Sequence, residues 1–359
     1  MANILFSDDS DDSDMELLAL LSDSDTETDS EADEERQRAS ARRIKRVNYM
    51  QSLDDAEFTF RFRLSKTVVN TLLTQLMPLV RVTSTRNHGV SPLHQLLLTL
   101  RFYALGTMLI SVADFVGVST STAGRIVRDI SSAIASLYDE YIAVHQQSAE
   151  KFYRIARFPR VLAAIDCTHI RIQSPCQIIG EEFRNRKGYF SLNVQAICDA
   201  DLRFMNVVAR WPGSTHDATI FNNSVLRAQC DAGLFGNRWM LGDSAYPNRS
   251  YLLTPVLNPV NEAEQRYNEA HIRTRNTIER TFGVWKRRFP VVALTLRLSL
   301  PKAQAVIIAT AVLHNICRNN NLQELSSEVD LPPEDTNFID LNSEVTDVQQ
   351  RAVLISNYF

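Results

Sequence analysis

The change in hydrophobic periodicity near Pro159 is the feature that most constrains the fold of this 359-residue chain. Before it, apolar residues recur at the three- and four-residue spacing of helices. After it come β-branched runs typical of strands, interleaved with further helical segments. The strand-like runs are RVLAAIDCTHIRIQ, SLNVQAICDA, RFMNVVARWP and RWMLGDSAY. Strands interleaved with helices predict an α/β architecture with one mixed sheet flanked by helices, preceded by a small all-α region.

The region before the strands is predicted to be helical and to resemble a helix-turn-helix. Ser91 and Pro92 can cap and start one helix, and Gly106 suits its end. Next, SVADFVGV and TAGRIVRDISSAIASL are predicted as two helices separated by the turn STS. The second carries Arg125 and Arg128, which could contact a major groove or its phosphates. A pair of helices that only packs within the fold is an equal alternative.

Charge is strongly segregated along the chain. Residues 1–35 hold 14 acidic residues and no Lys or Arg, and residues 321–359 hold 8 acidic residues and one Arg. Residues 36–320 contain 37 basic and 20 acidic residues, a net charge of +17, although the whole chain carries −4. A basic body between acidic ends is typical of proteins that bind nucleic acid, but charge alone does not separate DNA from RNA or from acidic proteins.

These patterns predict four regions. Residues 1–46 form a disordered acidic tail that ends in a basic cluster, and 47–150 form the helix-turn-helix-like DNA-binding region. Residues 151–320 form the sheet-containing domain, and 321–359 an acidic C-terminal tail. We expect no secretory signal and no membrane span, since the apolar run AVIIATAVL is far shorter than the roughly 20 residues needed.

Cysteine usage and a short basic motif bear on localisation. Five cysteines without paired spacing indicate a reducing compartment, cytosol or nucleus, and they do not suggest a zinc site. The motif ARRIKR at 41–46 is a weak candidate for a nuclear import signal.

Acidic residues recur where strand-like runs end. Asp166 in LAAIDCTH, Asp217 in WPGSTHD and Asp243 in WMLGDSAY follow such runs directly or after a turn. A fourth acid, Glu279, lies on a predicted helix. Functional sites in α/β sheets gather at strand ends, so these acids are candidates for one cluster. Because burying an isolated carboxylate is costly, each needs solvent, a partner or a bound cation.

Most of these acids have a structural alternative. Ser214 and Asp217 could form a capping box that starts a helix. Asp243 could be a turn residue, and Glu279 could pair with Arg275 one helical turn earlier. The alternative for Asp166 is the weakest, because this residue interrupts an apolar run.

The helix NTIERTFGVWKRRF adds charge of both signs to the candidate site. One of its faces is predicted to be buried through Ile278, Phe282, Trp285 and Phe289. The neighbouring face would carry Glu279 and Lys286 toward the site, and Arg287 and Arg288 follow. Hard divalent cations bound by carboxylate oxygens can activate a water or a 3′ hydroxyl beside a phosphate backbone. A second basic cluster, Arg184, Arg186 and Lys187 in RNRKGYFSLN, is predicted to contact that backbone.

Six motifs together resemble the transposases of the PIF/Harbinger superfamily and the nucleases derived from them. They are IDCTHI, NRKGYFSLNVQAICD, WPGSTHDATIF, LGDSAY, NTIERTFGVWKRRF and AVLHNIC, and the resemblance runs from roughly residue 45 to 320. It implies a ribonuclease H-like domain with a DDE carboxylate triad that binds Mg²⁺ or Mn²⁺. By this resemblance the triad is Asp166, Asp217 and Glu279, and Asp243 joins them as a metal ligand. Cys167 departs from the glycine that many members carry.

The resemblance also implies partners and a location. The substrate would be double-stranded DNA at transposon ends. A separate Myb/SANT-like accessory protein would help to recognise those ends and to enter the nucleus, which leaves room for a cytoplasmic pool before import. A homo-oligomer is compatible with the sequence, and an active transposase and a host-retained nuclease are not distinguished by it.

Overall fold

The computed structural model describes residues 46–80, 89–175, 180–324 and 348–359. The predicted acidic N-terminal tail and almost all of the basic cluster lie outside the described residues. The same holds for residues 325–347 of the predicted acidic C-terminal tail. Those predictions therefore stay untested.

Helices fill the described chain ahead of the first strand, as the periodicity predicts. They are α1 (Tyr49–Ser52), α2 (Asp55–Phe62), α3 (Lys66–Leu76), α4 (Pro92–Leu105), α5 (Leu109–Val116), α6 (Thr120–Ala135), α7 (Tyr138–Tyr141) and α8 (Ala149–Ala156).

Local sequence explains where these helices begin and end. The Ser91 hydroxyl accepts from the backbone N–H of His94, Pro92 occupies the first turn of α4, and Gly106 ends the helix with φ 63°. A Cβ at Gly106 would also lie 3.1 Å from the backbone of Pro290. Both the positive φ and this close approach therefore favour glycine at the end of α4. Gly117 ends α5 with φ 70° in the same way. The predicted caps of α4 are confirmed.

A mixed five-stranded sheet follows. Its strands are β1 (Val161–Arg171), β2 (Ser191–Cys198), β3 (Phe204–Pro212), β4 (Trp239–Leu241) and β5 (Leu252–Leu253). Their order is β3-β2-β1-β4-β5, with antiparallel pairing from β3 to β1 and parallel pairing from β1 to β5. The predicted mixed sheet of an α/β protein is confirmed, with a ribonuclease H-like arrangement.

Helices cover both faces of this sheet. The remaining helices are α9 (Asp217–Asn222), α10 (Val225–Asp231), α11 (Glu262–Arg288), α12 (Leu300–Asn319) and α13 (Val348–Tyr358), with short 3₁₀ turns at Gly180–Phe183 and Pro290–Val292. One core joins α11 and α12 to one face, and a second core joins α9 and α10 to the other. The apolar stripe predicted for α11 is fully buried, at 4% exposure or less for each member.

The helical region shares a core with the sheet. The Tyr138 hydroxyl hydrogen-bonds the backbone of Val207 in β3, and α6 packs on α12. The predicted helix-turn-helix pair corresponds to α5 and α6, and Arg125 and Arg128 are exposed on α6. Packing and DNA binding are therefore compatible on opposite faces of α6. The predicted boundary at residue 150 stays a prediction.

Two further features concern α12 and the chain end. Among the described residues, α12 alone has the length and hydropathy of a membrane span, yet 72% of its apolar window is buried. It is a core helix. The sequence analysis did not predict α13, whose Leu354 and Ile355 pack in one cluster with Phe158 and Tyr267.

The turn between β2 and β3 is held by a buried ion pair. Asp199 is completely buried, and its Oδ2 lies 2.7 Å from Arg203 Nε and 3.0 Å from His145 Nε2. Burial alone would raise the pKa of Asp199, but hydrogen bonds from His145 and Arg203 lower it below its ordinary value. The charged form of Asp199 therefore stabilises the fold.

Candidate active site

Asp166 lies within β1, between the strands that pair with it on either side. The residue is only 3% exposed, and the residues before it in the strand are apolar and buried. Its Oδ1 accepts from the backbone N–H of Cys167 at 2.7 Å, and its Oδ2 accepts from Arg275 Nη1 at 2.8 Å. The strand therefore fixes one oxygen locally and offers the other to a positive charge.

Asp243 reaches the same place from the neighbouring parallel strand. Ala164 of β1 pairs with Leu241 of β4, so that Asp166 and Asp243 each lie two residues beyond a paired position. Gly242 permits this approach, because a Cβ there would lie 3.1 Å from Ile165. The Oδ1 of Asp243 accepts from the backbone N–H of Ala245 at 3.0 Å.

Asp217 is the first residue of α9, and its position corrects the predicted capping box. The residue before the helix is His216, which makes no side-chain cap, while Ser214 lies outside the helix with its N–H bonded to the Glu182 carbonyl. The Oδ1 of Asp217 accepts instead from Asn193 Nδ2 at 2.9 Å. The capping-box interpretation is therefore wrong, because the side chain of Asp217 turns toward the sheet.

Two amides of β2 hold the start of α9, and the sequence analysis missed both. Asn193 also donates to the Thr215 carbonyl at 2.8 Å, and Gln195 donates to the backbone carbonyl of Asp217 at 3.3 Å. The available signal was their spacing of two in SLNVQAIC, which places both polar side chains on one face of a strand.

Glu279 lies on α11 and is far more exposed than Asp166, with 45% of its side chain accessible against 5%. Its Oε1 accepts from Arg275 Nη2 at 2.6 Å. The pair expected as a structural alternative is therefore present. The same guanidinium also binds Asp166, so Arg275 connects an acid of β1 to an acid of α11.

Burial and like charge shift the pKa values of the acids. Burial, followed by the charge of Asp243, raises the pKa of Asp166 well above its ordinary value, against the opposing effect of Arg275. Burial, followed by the charge of Asp217, raises the pKa of Asp243 to about 6. These shifts show that Asp166, Asp217 and Asp243 lie within electrostatic reach of one another. The pairing of β1 with β4 brings Asp243 to the strand next to Asp166, and Asp217 reaches the same site from the start of α9.

Cys167, the departure from the superfamily's glycine, contributes to the floor of the site. Its Sγ lies 3.4 Å from the Tyr246 hydroxyl, which also accepts from Gln195 Nε2 at 3.2 Å. Both Cys167 and Tyr246 are buried. Burial raises the pKa of each well above its ordinary value, so both side chains are neutral hydrogen-bonding groups.

Of the basic residues at the end of α11, Lys286 lies near the acids, whereas Arg288 is buried and stabilises the fold. Lys286 Nζ donates to Thr168 Oγ1 at 2.6 Å, two residues along β1 from Asp166, and Arg287 is half-buried. Arg288 is 3% exposed and donates to the carbonyls of Arg63, Leu322 and Gln323. The predicted nucleic-acid contact by Arg288 is wrong, because its guanidinium is used inside the fold.

The second basic cluster lies on an exposed loop before β2. Arg184 pairs with Glu181 at 2.8 Å and stacks over the Phe190 ring at 4.5 Å. Arg186 Nη2 lies 2.6 Å from His216 Nδ1, next to Asp217 in the chain, and Lys187 is exposed. The loop therefore carries positive charge to the edge of the acid cluster.

The acids fit a hard divalent cation in chemical type. Carboxylate oxygens are the ligands that Mg²⁺ and Mn²⁺ prefer, and a buried acid beside like charges needs a counter-cation. Within the described part of the chain, no three His, Cys, Asp or Glu side chains are grouped closely enough to hold one ion as they stand. In this arrangement the counter-cation of Asp166 and Glu279 is the Arg275 guanidinium.

Comparison with known proteins gives a consistent relationship. Residues 165–315 match the family described as DDE superfamily endonuclease. The chain is 34% identical over 284 residues to "Putative nuclease HARBI1" of Mus musculus, covering 75% of this chain and 81% of that protein. The Homo sapiens protein of the same name is 34% identical over 258 residues, covering 69% and 74%. "Protein ALP1-like" of Arabidopsis thaliana is 26% identical over 266 residues, covering 67% and 64%. No solved structure gives a significant match.

Proposed function

The chain belongs to the PIF/Harbinger superfamily of DDE transposases and transposase-derived nucleases, and we propose that it is a divalent-metal-dependent DNA endonuclease. One observation carries the proposal. Asp166 of the central strand β1 and Asp243 beyond β4 each lie two residues past the paired Ala164 and Leu241. Asp217 is bonded to Asn193 of β2, and Arg275 joins Asp166 to Glu279 on α11, so four acids from separate segments lie at one site. Such an arrangement of acids has no structural need unless a cation joins them.

Each acid has a definite role in this proposal. Asp166, Asp217, Asp243 and Glu279 would hold Mg²⁺ or Mn²⁺, with Asp166, Asp217 and Glu279 as the catalytic triad. A bound cation of this kind activates a water or a 3′ hydroxyl and neutralises charge on the leaving oxygen. Hydrolysis of a phosphodiester bond follows from the first nucleophile, and strand transfer from the second.

The neutral residues around the acids orient Asp217 and line the site without adding charge. Asn193 and Gln195 hold the start of α9, so that Asp217 keeps one orientation relative to β2. Tyr246 and Cys167 form a neutral wall and cannot compete for a cation by ionising. Preorganised ligands of this kind are needed wherever a site stabilises charge during reaction.

The proposed substrate is double-stranded DNA at transposon ends. The net charge of +17 between residues 36 and 320 supports a polyanion, and Arg186 beside His216 and Lys286 bonded to Thr168 place cations next to acid-bearing segments. The proposed backbone contacts are Arg125, Arg128, Arg184, Arg186, Lys187, Lys286 and Arg287. A Myb/SANT-like accessory protein would supply end recognition and nuclear import, which implies a nuclear protein with a cytoplasmic pool, and self-association is compatible with this scheme.

A cleavage assay with matched variants tests the proposal. Purified full-length protein, with and without the accessory protein, is incubated with a plasmid carrying transposon-end DNA and with Mg²⁺ or Mn²⁺. We expect nicking or double-strand cleavage that Asp166→Asn, Asp217→Asn and Glu279→Gln each abolish. Glu269→Gln is the matched control, because Glu269 is an exposed acid on the same helix. Cleavage that survives Asp217→Asn, or no cleavage with either metal, contradicts the proposal.

A second function, DNA binding without turnover, is supported by α6. Arg125 and Arg128 are exposed on a helix whose opposite face is buried, so the helix could bind DNA independently of the acids. A host-retained protein of this kind would bind DNA equally well as wild type or as Asp166→Asn, and neither form would cleave DNA, whichever divalent metal is added. Terminal inverted repeats and many genomic copies would indicate a mobile element instead.

A further inference from the structure

Arg275 occupies an unusual position for a cation inside a cluster of acids. It lies one helical turn before Glu279 on α11, and its two Nη atoms lie 2.8 Å from Asp166 Oδ2 and 2.6 Å from Glu279 Oε1. Only 15% of its side chain is exposed, and its Nε is buried without a hydrogen-bond partner in the described structure. The guanidinium is therefore held by the acids alone.

The contact to Asp166 separates Arg275 from an ordinary surface pair. An Arg and a Glu four residues apart on an exposed helix face stabilise each other only weakly. Asp166, by contrast, is nearly excluded from water and comes from a strand 109 positions away in sequence, and Asp243 and Asp217 add like charge to its surroundings. Arg275 supplies the positive charge that such a buried carboxylate requires.

The same oxygens are the ones that a metal needs. The Oδ1 of Asp166 is already occupied by the backbone N–H of Cys167, and Oδ2 is the oxygen that Arg275 binds. Glu279 likewise presents Oε1 to Arg275. A divalent cation bound at these oxygens would lie close to the guanidinium, and the two positive charges would repel each other. Binding of one therefore disfavours binding of the other.

We infer that Arg275 is an internal counter-cation of the metal-free site, which a divalent cation must displace from Asp166 and Glu279 before it can bind. The inference rests on the proposed metal-dependent function. Its consequence is that Arg275 stabilises the fold when no metal is bound, and that the apparent affinity for metal is reduced to the intrinsic affinity multiplied by the fraction of molecules in which the guanidinium is away from these oxygens. Arg275 is a positioning residue, and its removal should tighten metal binding instead of weakening it.

Metal binding without DNA provides the test. Full-length wild-type protein is stripped with a chelator, and Mn²⁺ is titrated by calorimetry and by thermal melting at pH 8. We expect Arg275→Gln to bind Mn²⁺ about tenfold more tightly, the effect of losing one charge-assisted hydrogen-bonded competitor. Arg275→Lys should be intermediate, because one ammonium cannot bridge two carboxylates as a guanidinium does. Arg273→Gln, an exposed position two residues earlier on α11, should match wild type.

Thermal melting adds a second expected difference. Without metal, Arg275→Gln should melt below wild type, since its acids are uncompensated. Saturating Mn²⁺ should raise its melting temperature by more than it raises that of wild type. A residue with a purely structural role would lower the melting temperature but would not tighten metal binding.

The outcomes separate this inference from the proposed function. If wild type binds Mn²⁺ and Arg275→Gln binds it equally or more weakly, the displacement inference is overturned while the metal-dependent function stands. If neither protein binds Mn²⁺, both are overturned. If Arg275→Gln does not fold, Arg275→Lys decides, because tighter binding than wild type supports displacement and equal or weaker binding rejects it.

Discussion

Replacing Asp243 by Asn should stabilise the metal-free protein at pH 8. Burial and the charge of Asp217 raise the pKa of Asp243 from 3.8 to about 6, so the folded state resists ionisation of this carboxyl. A shift of about two pKa units corresponds to roughly 3 kcal/mol of unfolding free energy. Asn cannot ionise, and its amide oxygen can still accept from the backbone N–H of Ala245.

The sign of this effect fixes its pH window. A carboxyl with a raised folded-state pKa costs nothing below its unfolded-state value, and the cost grows between about pH 4 and 6 and is complete above 6. The gain from Asp243→Asn should therefore be about 3 kcal/mol at pH 8 and only about 1 kcal/mol at pH 4.5. Added Mn²⁺ should remove or reverse the gain, because the variant lacks one proposed ligand.

Urea denaturation in the presence of a chelator measures this difference. Trp285 and Trp239 are both buried, so tryptophan fluorescence reports unfolding at both pH values. Asp139→Asn, at an exposed position on α7, is the control and should change stability little at either pH. A variant that is less stable than wild type at pH 8, or that gains equally at both pH values, would refute the electrostatic reasoning.

Three further predictions concern the frame and the basic residues. Asp199→Asn should lower the unfolding free energy by about 3 kcal/mol in urea at pH 7, because it leaves Arg203 facing a buried neutral group. Gly213→Ala should cost about 1–3 kcal/mol by thermal or urea unfolding, since its Cβ would lie 2.8 Å from a backbone oxygen of β2. In DNA-binding titrations at several salt concentrations, Arg186→Ala should reduce the salt slope by about one. Arg288→Ala should leave that slope unchanged and lower the melting temperature.

The sequence predicted the parts of the fold that depend on neighbouring residues. The caps of α4, the buried stripe of α11 and the extended runs of β1 to β3 all arise from patterns within a few residues. The recurrence of acids near strand-like runs also singled out Asp166 and Asp243, and the pairing of Ala164 with Leu241 places them on neighbouring strands. The expected position of Asp166 was wrong, because it lies within β1, and only Asp243 follows its strand.

Contacts between segments that are distant in sequence could not be predicted from these local patterns. The capping box at Ser214 failed because Asn193, more than twenty residues earlier, offers Asp217 a better partner than the helix start does. Arg288 was assigned to DNA because its neighbours are basic, yet backbone carbonyls from two remote segments surround it. In each case a tertiary hydrogen bond outweighed a local preference.

Arg275 combines a pairing that a local sequence spacing indicates with one that only tertiary structure creates. Its pairing with Glu279 follows from a four-residue spacing, whereas its pairing with Asp166 requires α11 to cross β1. Like-charged acids gathered for catalysis weaken a fold, and the usual remedy is a bound cation. Here the chain carries a tethered cation of its own, the Arg275 guanidinium, bound to Asp166 and Glu279. Under the inference above, the affinity of the acids for metal therefore depends on Arg275, a residue of α11.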